Sequence, residues 1–200
     1  MIYQESLSHR SIAISISESA EMNVLGLSAE HLIDAMAEVA RHLLAKGANL
    51  LYGGDLRPGG FTEVLFELVA CYCRASDLEQ PPLRVTNVLA WPVHISEPPE
   101  KLEELSESLN GMAELIYLSE AGEVMPAEMR PQFGPRPANE IEWHRGLTAM
   151  RDFITRAADA RVVLGGKTAN FKGKMPGIAE EALGSLRDGQ PLFVLGGFGG

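Results

Sequence analysis

Three of the five lysines in this 200-residue chain, Lys167, Lys172 and Lys174, fall in one loop, although the net charge is −10. They follow Gly165-Gly166 and precede Pro176-Gly177, which opens an amphipathic helix ending near Gly189. Cations beside a helix N-terminus, where free N–H groups and the helix dipole already favour negative charge, make an anion site, and a phosphate-bearing ligand is the natural occupant. Taken alone, such a loop reads equally well as a solvated turn. Its place at the carboxyl end of the strand Arg161 to Leu164 decides for a ligand, because open parallel sheets bind there. Glu180 and Glu181 stand in the helix's first turn. A carboxylate there can stabilise an oxocarbenium-like transition state, hold a ribose hydroxyl, or simply answer the helix dipole. Gly166-Lys167-Thr168 mimics the end of a P-loop. The motif's first glycine would fall at Arg161, inside the strand, and Gly173 and Pro176 stop a helix from starting at the lysine, so ATP hydrolysis of that type is rejected.

A second strand runs into a second glycine loop, Gly53-Gly54-Asp55-Leu56-Arg57-Pro58-Gly59-Gly60-Phe61-Thr62. Its glycines let the backbone approach a ligand, and Thr62 offers a hydroxyl and an early helical N–H. Arg57 reads equally as a phosphate contact or a solvated cation. Asp55 reads first as a brace of the turn and second as a ribose contact. Ser15 and Ser17, with Glu18 and Ser19, close the first strand, where ordinary turn chemistry is at least as good a reading as ligand binding. Arg145 and Arg151 ride on a long helix; their planar forks suit phosphate, yet such residues are commonly solvated or paired. Gly196-Gly197 ends the last strand as a third glycine loop.

The elements that must position these residues alternate throughout. Strands are expected at Ser11 to Ser17, with Ile12, Ile14 and Ile16 on one side, at Ala48 to Tyr52, Arg84 to Trp91, Ala113 to Leu118, Arg161 to Leu164 and Pro191 to Leu195. Helices are expected from Ser28 to Gly47, from Phe61, from Pro98 with Leu102, Leu105 and Leu109 inward, from Asn139 to Ala160 and from Pro176. In the helix from Asn139, Trp143, Leu147, Met150 and Ile154 should face the core. In the last helix Ile178, Ala179, Ala182, Leu183 and Leu186 should. The segment Ser119 to Ala138 carries four prolines and little periodicity; it reads first as a surface excursion and second as a lid. This order gives an α/β fold: Rossmann-like and doubly wound, a mainly parallel sheet with helices on both faces, in a single domain over 1–200.

Composition sets the outer bounds. At 46% apolar residues the chain can bury one substantial core. The negative charge disfavours nucleic acid, which needs Lys and Arg against its phosphates. Cys71 and Cys73 sit two apart on a helix and point apart, the five histidines are scattered singly, and no metal or cofactor is expected. No signal peptide or membrane-length run is visible, so the expectation is a reduced, cytoplasmic protein with no membrane partner. The final Gly-Gly-Phe-Gly-Gly follows a strand with no helix behind it, which reads as a domain excised from, or ending against, a longer chain.

The stretches YGGDLRPGGFTEVL, DARVVLGGK, KMPGIAEEAL and LFVLGGFGG resemble the SLOG superfamily, named from the DNA-processing protein Smf/DprA and the LOG cytokinin-activating enzymes. The similarity spans nearly the whole chain and points to the prokaryotic branch similar to the SLOG region of TRPM channels. That resemblance implies a sensor domain for an ADP-ribose-like or cyclic NAD-derived nucleotide, acting in bacterial conflict or anti-phage signalling. Its implied partners are a TIR-like or other effector, fused or associated, and further copies of itself in a homo-oligomer. The alternative is a LOG-type nucleoside monophosphate phosphoribohydrolase. Against it, the MPGIAEEA stretch keeps Pro176, Gly177, Glu180 and Glu181 but lacks the GGxGT core of the LOG motif, and only Arg151 matches the paired Arg-Lys of the LOG helix.

Overall fold

The computed structural model describes residues 5–54, 56–75, 84–109 and 112–200. Among these residues seven strands form one sheet: β1 (Ser11–Ser17), β2 (Asn49–Tyr52), β3 (Val85–Leu89), β4 (Ala113–Leu118), β5 (Val124–Met125), β6 (Ala160–Gly165) and β7 (Leu192–Leu195). Six α-helices connect them: α1 (Ala29–Ala45), α2 (Phe61–Ala75), α3 (Trp91–His94), α4 (Pro99–Ser108), α5 (Glu140–Ala157) and α6 (Gly177–Arg187). Strand order is β5-β4-β3-β2-β1-β6-β7, and every pair is parallel except β4 with β5.

The chain therefore winds outward from β1 to β5, then returns to lay β6 on the other side of β1. That reversal opens a crevice at the carboxyl ends of β1 and β6, the standard binding position in such sheets. Ser17 and Gly165 are paired there. Gly165 has φ +62°, and a Cβ at this residue would collide with the Ser17 carbonyl oxygen, so the crevice floor requires glycine on two counts.

Alternation along β1 sorts its side chains between two layers. Ile12, Ile14 and Ile16 join Met36, Ala40 and Leu44 of α1 and Leu65 and Val69 of α2 in one core. Ala13 faces the other way, with Met150 and Ile154 of α5. On β6, Ala160, Val162 and Leu164 enter the first core, which turns Arg161 toward α5 and α6. Fully burying a Leu or Ile is worth roughly 1.5–3 kcal/mol, so these layers supply most of the driving force.

Several expectations need correction. The strand from Arg84 ends at Leu89, and Trp91–His94 is a short helix with proline in its first turn. In α6 only Ser185 is buried, while Leu186 is 60% exposed, because the inner side of this helix packs on polar groups and not on a core. The segment from Ser119 to Ala138 forms β5 and a 3-10 helix, Ala127–Gln132. It is anchored by buried Arg130, which donates to the His94 and Glu97 carbonyls at 2.6 Å and to the Phe133 carbonyl. None of it lines the crevice, so it is no lid.

The N-termini of α1 and α5 show the local chemistry that places them. Ser28 N–H donates to His31 Nδ1 at 3.0 Å. Asn139 and Glu142 form a reciprocal capping box, at 3.0 Å and 2.8 Å. No helix among the described residues is long and apolar enough to cross a membrane.

Candidate functional site

The crevice at the switch point is a cleft of about 470 Å³. Ser17 and Glu18 line it from the end of β1, Tyr52, Gly53, Gly54 and Arg57 from the loop after β2, and Phe61 from the start of α2. The helix α5 supplies Trp143, Leu147, Met150 and Arg151, spaced as one helical face. The loop between β6 and α6 supplies Lys167, Asn170, Phe171 and Lys172, and α6 itself supplies Gly177, Ile178 and Glu181. One wall is thus aromatic and apolar, and the loop facing it is cationic.

Beneath the cleft lies a network of charges. Arg161 is 1% exposed and uses its whole fork. Its Nη1 donates to Ser15 Oγ at 2.6 Å and to Glu181 at 2.9 Å, its Nε to Ser185 Oγ at 2.8 Å and its Nη2 to Thr155 Oγ1 at 3.0 Å. Burial lowers the pKa of its guanidinium, an effect that the neighbouring Glu181 carboxylate opposes. Ser15 Oγ–H in turn donates a hydrogen bond to the same Glu181 oxygen. Arg151 pairs with Glu180, which also accepts from Thr148 Oγ1 at 2.8 Å. Its buried Nε stands 3.5 Å from Glu181, close enough for charge attraction but without a hydrogen bond. Two arginines and two carboxylates therefore balance one another and tie β1, β6, α5 and α6 together.

Gly177 follows from this packing. The Arg151 guanidinium lies against its Cα, in the space a Cβ would need. A cation at the positive end of a helix is unfavourable by itself, and Glu180 in the first turn, followed by Glu181, offsets it. Buried Asn87 on β3 accepts the Gly54 N–H at 3.4 Å and holds the second glycine loop to the sheet.

The expected ligand residues thus divide. Ser17, Gly53, Gly54, Arg57, Phe61, Arg151, Lys167, Gly177 and Glu181 meet at the cleft. Ser15, Glu180, Gly165 and Gly166 lie outside its lining, the first two inside the charge network. Gly59, Gly60, Thr62, Lys174 and Pro176 also fall outside the lining. Gly196-Gly197 form a 3-10 turn after β7 and are not part of the cleft lining. Asp55 lies outside the described residues.

Sequence reasoning missed Arg161 as a site-building residue and Trp143 as a cleft residue. The signal for Arg161 was present: a charge at a position that strand alternation turns inward, opposite small hydroxyl residues in neighbouring segments. Trp143 was assigned to the core because its helical spacing fits both faces.

An X-ray structure of TM1055, a structural genomics target, is similar at 19% identity and a TM-score of 0.48, covering 96% of this chain and 76% of that one. No curated protein matches the chain significantly. The model of the family described as SLOG cluster2 matches residues 6–200. With nearly its whole length matched and the sheet, glycine loops and switch-point cleft described above, the chain belongs to the SLOG cluster2 family.

Proposed function

We propose that the cleft binds a nucleotide of the ADP-ribose-like or cyclic NAD-derived class and that the protein is a sensor, reporting occupancy to an associated effector. The cleft offers what such a ligand needs: Lys167 and Lys172 for phosphate, aromatic and apolar surface for a base, and hydroxyl and carboxylate groups at Ser17 and Glu181 for ribose.

The observation that carries the sensor reading is the engagement of both candidate carboxylates. Glu180 is tied to Arg151 and Thr148, and Glu181 to Arg161 and Ser15. A carboxylate that stabilises an oxocarbenium ion turns its negative charge toward the anomeric carbon. Here that charge is already answered by buried guanidinium groups. The second reading, hydrolysis of a nucleoside monophosphate, rests on Glu181 reaching the cleft at all.

A thermal-shift and calorimetry panel with ADP-ribose, cyclic ADP-ribose isomers, NAD and AMP tests the proposal. A ligand at a hundredfold excess over its Kd stabilises the native state by about 2.7 kcal/mol, which for a chain of this size raises Tm by roughly 5–10 °C. In the Lys167→Ala/Lys172→Ala protein, affinity should fall and its salt dependence flatten while the unliganded Tm stays put. An unchanged Tm with all four ligand types at millimolar concentration would reject the proposal.

A further inference from the structure

We infer that Trp143 is the platform on which the ligand's planar base stacks, and that Lys172 covers this platform until the base displaces it. The inference rests on the reading of the cleft as a nucleotide site and adds the residue that recognises the base.

Trp143 stands in the first turn of α5 and lines the cleft, with Leu147 one turn further along the same face. It is half-buried, and one face of its ring is covered by the Lys172 ammonium, 3.5 Å from the ring centroid. Trp91, the only other tryptophan, is buried and donates its indole N–H to Glu142 at 3.0 Å, so it is spent on structure. Among the described residues Trp143 shows no such hydrogen bond, and its covering group comes from the loop between β6 and α6.

That loop is built to move Lys172. It turns on positive φ at Gly166, Asn170 and Gly173, and among the described residues no backbone–backbone hydrogen bond involves residues 166–175. Lys172 is exposed along the loop, so lifting its ammonium from the ring disturbs no packed core. A cation over a partly exposed ring is a weak contact, whereas a base stacked on an indole buries a full π-face. The exchange also leaves the ammonium beside the incoming ligand, where a phosphate can take it up. The site therefore selects for a base and an anion on the same molecule. A sugar phosphate without a base leaves Lys172 on the ring, and an uncharged nucleoside must displace it without compensation.

The test uses the full chain with adenosine, AMP and ADP-ribose as probes, read by tryptophan fluorescence and calorimetry. Wild type should show quenching on binding, and Trp143→Phe should lose the quenching yet keep affinity within a few-fold. Trp143→Ala should weaken AMP and ADP-ribose by about 5- to 150-fold, the range of base–aromatic stacking. Lys172→Ala should bind AMP more weakly and adenosine more tightly than wild type does. If wild type binds a probe but Trp143→Ala binds it equally well, or if Trp143→Phe loses as much as Trp143→Ala, the stacking inference is wrong while the nucleotide reading stands. Lys172→Ala shifting adenosine and AMP in the same direction would refute the exchange. If no probe binds wild type, the cleft reading fails and this inference fails with it.

Discussion

Among the described residues, Arg130 and Arg161 are the arginines withdrawn furthest from water, and they are held in opposite ways. Arg130 gives its fork to backbone carbonyls of His94, Glu97 and Phe133, none of which lines the cleft. Arg161 gives its fork to side chains on β1, α5 and α6, one of which, Glu181, reaches the cleft. Backbone carbonyls cannot change their charge or rotate away, so Arg130 is a fixed clamp on the segment after β4. Side chains can exchange partners. The Arg161 network is thus a place where a ligand in the cleft can alter how four elements are tied.

The largest expected effect separates the two. Arg161→Met leaves the Glu181 carboxylate short of its main countercharge, and breaking a buried pair in this way costs about 3–5 kcal/mol. The double variant Arg161→Met/Glu181→Leu should recover much of that loss, since apolar replacement of a whole buried pair is often neutral. Arg130→Met should cost about 1.5–3 kcal/mol through lost charged hydrogen bonds. Urea unfolding checks the stabilities and calorimetry the nucleotide affinity. Affinity should change in Arg161→Met and stay unchanged in Arg130→Met. Equal affinities in both variants would erase the distinction between clamp and network.

The clamp region holds a group that makes stability depend on pH. His94 lies under Arg130, ringed by Trp91 and Tyr117, and donates its Nε2–H to the Leu118 carbonyl at 2.8 Å. Burial, aided by the Arg130 charge and opposed by the Leu118 carbonyl, pushes its pKa from 6.5 down to about 4. Between those values the unfolded chain binds the proton and the folded one does not. Stability is therefore complete above about pH 6.5 and lost as pH falls toward about 4, by about 3 kcal/mol. Below that, Glu142 takes over: its bonds from Arg136, Asn139 N–H and Trp91 hold it down to about 2. Denaturant midpoints at pH 7 and 4.5 should differ in wild type and draw together in His94→Phe. An undiminished difference in that variant would place the titrating group elsewhere.

The same contrast explains what could be read from sequence. Alternating strands and helices, the crevice after β1 and β6 and the glycine loops were legible because each is local: Ile12, Ile14 and Ile16 repeat at period two, and Gly165-Gly166 follows its strand directly. The Arg161 network was not, because Ser15, Thr155, Glu181 and Ser185 come from separate segments that only the winding of the sheet brings together. Its consequence in α6 was misread for that reason. The apolar residues there look like a core stripe, yet the helix buries Ser185 on Arg161 and leaves Leu186 in water. Trp143 was ambiguous because one helical face serves both the core at Met150 and the cleft. The 3-10 segment was opaque because Arg130, amid prolines, announces no partner when all its partners are carbonyls.

The central claim is that this cleft holds a nucleotide without consuming it. Purified protein should be incubated for hours with whichever of ADP-ribose, cyclic ADP-ribose, NAD or AMP binds, filtered, and its retained ligand released and separated by chromatography. Recovery of intact ligand at near one equivalent, with no free base in the filtrate, is the predicted result. Steady release of free base by wild type, abolished in Glu180→Gln or Glu181→Gln, would contradict it and make the protein a phosphoribohydrolase.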